Sequence, residues 1–186
     1  AGAHVFAAAR TKSEINLLVN EINDQGGRAT ALPLDVMNSV AARTAISNHG
    51  PFQILINNAG TNRPALLDDI TEEDYDDVTA LNIRSVIFLT QFVAKSLKNA
   101  GLPGSIINIS SQMGHVGGPK RTVYCATKHA LEGATKALAW ELGSKGIRVN
   151  TICPTFIRTP MSEPMLQNRD FHDHVVNSIA LGRIGE

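Results

Sequence analysis

The chain has 186 residues, with 17 Lys plus Arg against 17 Asp plus Glu, so its formal charge is zero. That balance excludes a basic nucleic-acid binder and a polybasic membrane anchor. Apolar residues at 43% and charged residues at 18% exclude a disordered chain. The length suits one domain on a prior of roughly 100–200 residues, and no run of about 18 apolar residues is present to span a membrane. Cys125 and Cys153 are too few for a disulfide framework, so a reducing, cytoplasmic setting is expected. The sequence opens at Ala1 with no signal-peptide pattern.

Residues 3–9 read as a short buried strand. Ile15, Leu18, Val19 and Ile22 then share one helical face over 13–25, and Gly26-Gly27 stops that helix. Residues 28–34 are extended and lead into Asp35-Val36; a helix over 38–48 ends near Gly50-Pro51. Gln53 to Ile56 is a strand closed by Asn57-Asn58-Ala59-Gly60. Thr71-Glu72-Glu73-Asp74 caps a long helix over 72–99. Ser105 to Ser111 is the next strand, followed by a second long helix over 122–144, a strand from Ile147 to Cys153 closed by Pro154, and a last helix over 163–180.

Short, continuous apolar strands alternating with helices predict an α/β chain with a parallel sheet covered on both faces. Ligands of such sheets bind beyond the carboxyl ends of the strands. Arg10, Asp35-Val36, Asn57 to Gly60, Ser110-Ser111 and Pro154 to Thr159 all fall at those ends.

Tyr124 and Lys128 are four apart on a predicted helix, so both can act on one bound molecule. A phenol ionises near 10, and moving that to neutrality takes ~3 units, about 4 kcal/mol. One ammonium at ~5 Å supplies about 3 kcal/mol at an effective dielectric near 20. Tyr124 is thus a candidate general acid/base. Ser111, thirteen residues earlier at a strand end, can hold a substrate oxygen beside the phenol. Asn82 sits inside the long helix, where Asn is a poor helix former; it is either a satisfied polar residue or a carbonyl holding a water that links Lys128 to solvent.

Taken together, Asp35-Val36, Asn57-Asn58-Ala59-Gly60, Asn82, Asn108-Ile109-Ser110-Ser111, Tyr124-x-x-x-Lys128 and Pro154 through Thr159 resemble the short-chain dehydrogenase/reductase family. The ordered set covers nearly the whole chain. The resemblance implies a Rossmann-type doubly wound sheet in three α/β/α layers, as a single domain over 1–186, and hydride transfer between NAD(P) and a carbonyl or alcohol. It implies Tyr124 as acid/base, Lys128 lowering its pKa and holding the nicotinamide ribose, Ser111 orienting the substrate oxygen, and Asn82 supporting the proton relay. It also implies a homodimer or homotetramer, with 3-oxoacyl carrier-protein reductases and sugar or gluconate dehydrogenases as the leading subtypes. A non-catalytic nucleotide-binding or scaffold protein on the same fold is the alternative.

In that family the residue ending the second strand selects the cofactor. Here Ala9 stands there, followed by Arg10 and Thr11, which suit a 2′-phosphate; NADP is favoured over NAD. The resemblance further implies Asp35 on the adenine amino group with Val36 beside it, Asn58 and Gly60 bordering the cofactor, and Ile157 and Thr159 at the carboxamide. Thr155 replaces the family's usual Gly, which predicts a loop altered near the nicotinamide. The family's opening strand and Gly-rich turn have no counterpart here, and Leu181 to Glu186 stops before its last strand. The chain is therefore expected to be incomplete at both ends, lacking a central strand between 3–9 and 53–56.

No metal is expected. His172-Asp173-His174 reads as helix surface, Asp68 to Asp77 (seven acids in ten residues) as a solvated cap, and Asn108-Ile109-Ser110 as a glycosylation sequon inside a buried strand. Met113, His115 and Met161 flank the inferred site, and Trp140 is assigned to core or interface.

Overall fold

A computed structural model describes residues 2–159 and 162–186. Met161 of the expected site lies outside the described residues. The chain runs β1 (His4–Ala9), α1 (Lys12–Asp24), β2 (Arg28–Pro33), α2 (Ser39–His49), β3 (Ile54–Asn57), α3 (Glu72–Thr79), a π-helical turn (Ala80–Arg84), α4 (Ser85–Ala100), β4 (Gly104–Ile109), α5 (Thr122–Gly143), β5 (Ile147–Ile152), α6 (Glu163–Leu166) and α7 (Arg169–Asn177). Gly26, at φ +79°, ends α1 in the left-handed region open to glycine. Asn38 and Thr71 cap α2 and α3 through side-chain oxygens that accept from Ala41 N–H and Asp74 N–H.

All pairing between these strands is parallel, as expected, but the strands form two sheets: β1–β2, and β3–β4–β5. β1 and β3 are not paired, and Val5, Ile54 and Ile56 stay exposed along these strands. The halves meet instead through side chains. Phe6 stacks edge-on against Phe52 at 5.1 Å between centroids. Ile46 of α2 joins Val93, Ala94 and Leu97 of α4, Ile106 of β4, and Ile147 and Val149 of β5 in the main core. Each fully buried Val, Leu or Ile side chain in that cluster is worth about 1.5–3 kcal/mol.

Two predicted helices are not continuous. The helix over 72–99 is α-helical only to Thr79; one π turn then carries Asn82 before α4 begins. The helix over 163–180 is two short helices, because Asn168 breaks off to cap α7 by accepting from Phe171 N–H. Trp140 is not core: it lies on α5 with 90% of its surface exposed. Near the C-terminus, Ile157 bridges to Gly185, and Ile184 packs with Leu166 and Val175 in a small second cluster.

Candidate active site

The residues with chemistry converge where β4 ends against α5. β4 stops at Ile109, and Ser111 turns its hydroxyl to accept from Met113 N–H at 3.1 Å, starting a short 3-10 turn over Gln112–Gly114. Gly114 is required in that turn: a Cβ there would come within 2.9 Å of Ser110 Oγ and 3.1 Å of the Lys128 carbonyl. The turn therefore packs directly on α5, and Ser111 is delivered beside Tyr124, where its hydroxyl works to lower the phenol pKa.

Tyr124 and Lys128 share one face of α5, with the ammonium 5.6 Å from the phenol ring centroid. Lys128 is buried, at 6% exposure, and donates to the Ile109 carbonyl at 2.7 Å. Burial holds its pKa down at about 8, although Cys153 and Glu132 pull it back up. Tyr124 departs from the expectation that Lys128 lowers its pKa. Burial raises the phenol above its usual value, and Ser111, then Arg121, offset this only in part. Lys128 instead commits its proton to Ile109.

Asn82 is 1% exposed and fully committed. Its Oδ1 accepts from Thr61 N–H at 2.9 Å, and its Nδ2 donates to the Thr61 carbonyl at 2.9 Å and Thr127 Oγ1 at 3.1 Å. Its side-chain carbonyl thus clamps the loop after β3. The π turn makes this possible by presenting one extra residue toward the sheet, a distortion that recurs at functional sites. Gly60 lies under the clamp: a Cβ on it would sit 3.3 Å from Asn82 Oδ1 and 3.8 Å from Lys128 Nζ.

A buried polar row lies behind the site. Asn57 Nδ2 donates to Asn108 Oδ1 at 2.8 Å and to Thr90 at 3.2 Å, and Asn108 Nδ2 donates to Thr135 at 2.9 Å. Asn57, Asn108 and Thr151 are register partners across β3–β4–β5. The row pins α4 and α5 to the sheet end that carries Ser111. Asn108 is fully buried, as the discounted sequon requires.

The expected cofactor residues occupy two places. Arg10, Asp35 and Val36 follow the adjacent ends of β1 and β2. Arg10 is exposed, and Thr11 caps α1 by position without using its hydroxyl. Asp35 Oδ1 accepts from Met37 N–H at 2.9 Å. Asn58 and Gly60 follow β3, on the Tyr124 side. Ile157 and Thr159 follow β5, where Ser162 Oγ donates to the Ile157 carbonyl at 2.6 Å and accepts from Thr159 N–H at 3.0 Å. Thr155 stays out of the left-handed region; among the described residues Lys120 is the one non-glycine with positive φ.

Thr61, Thr127, Ser162 and Glu132 escape sequence reasoning. Glu132 is buried one turn beyond Lys128, and accepts from Thr151 Oγ1 at 3.1 Å and Cys153 Sγ at 3.3 Å. The only hint of it in sequence is its i+4 spacing from Lys128. Exposed Arg63 pairs with Asp74 at 3.7 Å and Asp77 at 3.6 Å, so the acidic segment is a solvated helix start, as expected.

Residues 1–170 match the family model described as short chain dehydrogenase. The whole chain is 36% identical to L-xylulose reductase of Bos taurus, spanning 75% of that protein. It is 35% identical to 3-oxoacyl-(acyl-carrier-protein) reductase of Thermotoga maritima, spanning 76% of it. Among solved structures, gluconate 5-dehydrogenase from Burkholderia cenocepacia, in complex with NADP and tartrate, superposes with a TM-score of 0.93 at 29% identity; the match covers 99% of this chain and 73% of that one.

Proposed function

The chain belongs to the short-chain dehydrogenase family and is an NAD(P)-dependent oxidoreductase; on that premise we propose that it reduces the ketone of a small polyhydroxy compound with NADPH, using Tyr124 as the general acid. One observation carries the assignment of residues: Ser111, Tyr124, Lys128 and Asn82 converge from three segments at the carboxyl end of β4. The names of the L-xylulose reductase and gluconate 5-dehydrogenase relatives support the substrate class.

The residues present fit the cofactor. Arg10 and the unused Thr11 hydroxyl stand at the N-terminus of α1, where an anion is favoured, and would hold a 2′-phosphate. Asp35 keeps one carboxylate oxygen for the adenine amino group, with Val36 alongside. Asn58 and Gly60 would border the cofactor, and Gly60 leaves open the space that a Cβ would fill against Asn82 and Lys128. Ile157 and Thr159 would meet the carboxamide. When bound, NADPH supplies the hydride for the carbonyl carbon.

Ser111 holds the substrate oxygen beside the Tyr124 phenol. Tyr124 is protonated at neutral pH, as any phenol is, and partial burial raises its pKa further, which suits it to give a proton to that oxygen. Lys128 would hold the ribose hydroxyls, with its ammonium 5.6 Å from the phenol ring centroid. Asn82 positions both by fixing Thr61 and Thr127. The exposed Trp140 on α5 supports self-association along that helix, and the free Cys125 and Cys153 suit a reducing cytoplasm. No helix among the described residues is long and apolar enough to cross a membrane.

The test is a screen of ketoses, keto-sugar acids and β-ketoacyl thioesters, following NADPH and NADH oxidation. Turnover of a ketose or keto-sugar acid with a preference for NADPH is expected. Preference for the thioesters would overturn the substrate class, and tight NADPH binding with no turnover would favour the non-catalytic reading.

A further inference from the structure

Three donor groups that the reaction leaves unused meet between the turn after β4, α5 and the end of β5. His115 follows the 3-10 turn after β4, Glu132 lies on α5, and Cys153 follows β5. The imidazole Nε2 is 3.4 Å from Cys153 Sγ and 3.7 Å from Glu132 Oε2, and Sγ is 3.3 Å from Glu132 Oε1. Among the described residues this is the one cluster of three or more metal-ligating side chains.

We propose that His115, Glu132 and Cys153 bind one zinc ion. A tetrahedral zinc with Zn–S near 2.3 Å and Zn–N and Zn–O of about 2.0–2.2 Å holds its donors about 3.4–3.6 Å apart. The His115–Cys153 separation matches that spacing, the other two run to different oxygens of one carboxylate, and the ligand atoms all lie within 4.8 Å of one another, so the ion needs only the Glu132 carboxylate to turn one oxygen toward both partners. Thiolate and imidazole select zinc over magnesium or calcium, which take oxygen donors. Binding displaces the Cys153 thiol proton to solvent, and the thiolate and carboxylate then balance the charge of the ion. Thr151 Oγ1 donates to Glu132 Oε2 at 3.1 Å and fixes the carboxylate, as outer partners of metal ligands do. The His115 side chain is 54% exposed against 10% for Glu132, so the ion enters from solvent over the imidazole and keeps its fourth position for water.

Sequence spacing conceals this site because each ligand comes from a different element. The chemical consequence lies in the loop. His115 is the loop's outer anchor, and a bound ion ties the segment carrying Met113 to both α5 and β5.

The experiment titrates chelator-treated protein with Zn(II) alone and, separately, with Co(II). One equivalent should bind, Tm should rise, and Co(II) should give a thiolate-to-cobalt charge-transfer band. His115→Ala, a surface change that leaves folding intact, and the near-isosteric Cys153→Ser should each weaken binding by at least roughly tenfold, and Thr151→Val by about tenfold. Cys125→Ser should bind as wild type, and Zn(II) should protect Cys153 but not Cys125 from alkylation. Absence of binding to the wild-type chain overturns the proposal. So does a cobalt spectrum without the thiolate band, or zinc affinity retained in both His115→Ala and Cys153→Ser.

Discussion

The half of the molecule built from β1, α1, β2 and α2 differs from the half built on β3, β4 and β5. β4 has a hydrogen-bonded neighbour on each side and buries Ile106 and Asn108 completely; β1 has one neighbour and no fully buried residue. The first half presents an exposed Arg10 and a half-buried Asp35 at strand ends. The second holds its functional groups inside a closed network: Lys128 to Ile109, Asn82 to Thr61 and Thr127, and Asn57 to Asn108 to Thr135. Recognition of a charged ligand tolerates solvated side chains, because guanidinium and phosphate find each other from water. Proton transfer does not, because the donor must sit within hydrogen-bond reach of one atom. The contrast in burial follows that contrast in task.

If the second half owns the chemistry, Tyr124→Phe should lower kcat by about 10²–10⁴-fold while leaving NADPH binding intact, as general acid catalysis at this magnitude predicts; stopped-flow turnover with parallel fluorescence titration separates the two. Retained turnover would collapse the division of labour. Asn82→Ala tests whether the site is held by its network. The Thr61 peptide would lose both of its Asn82 partners, at a cost of about 1–3 kcal/mol per unsatisfied buried group, read in urea denaturation, and kcat should fall with it. Arg10→Ala tests the first half. It should lower the NADPH-to-NADH ratio of kcat/KM by about tenfold, from loss of one charged hydrogen bond worth ~1.5–3 kcal/mol, with no change in unfolding midpoint.

The smallest expected effect is in pH. The unfolded phenol ionises near ~10, and the folded one above that because burial disfavours phenolate. Above pH ~10 the folded state therefore binds more protons than the unfolded state. Tyr124 thus withdraws stability as pH rises through that window, and contributes no slope below it. Against Tyr124→Phe, wild-type stability should stay parallel up to about pH 10 and then fall away. Parallel curves to higher pH would mean that the phenol is not buried.

The sequence carried the parts of this architecture that depend on local periodicity. Strand ends, the Thr71 cap and the i to i+4 pairing of Tyr124 with Lys128 were all legible as pattern. Asn82 was legible as a misfit in a helix, but its consequence, a π turn, was not, because only Thr61 and Thr127 explain it and both lie far along the chain. Asn168 is a cap residue in plain sequence, yet the apolar spacing on either side ran through it and hid the break. Trp140 shows the reverse limit: its size favours burial, but the described residues leave it 90% exposed. The tuning of Tyr124 also depended on depth, since charge spacing alone predicted a phenol that ionises more easily and burial produced the opposite.

The π turn at Ala80–Arg84 sets how many residues this stretch of chain needs. A π turn holds one residue more than the α-helical path between the same two ends. Deleting one residue there should let α3 and α4 run on as a single regular helix, with Val78 and Val93 still facing inward and the hydrophobic core undisturbed. What such a shortened chain would lose is the Asn82 amide, withdrawn from Thr61 and Thr127. The count of residues between two well-packed helices is thus fixed here by the requirements of the site, and a one-residue gap in an alignment at this turn would mark a relative that has given up the clamp.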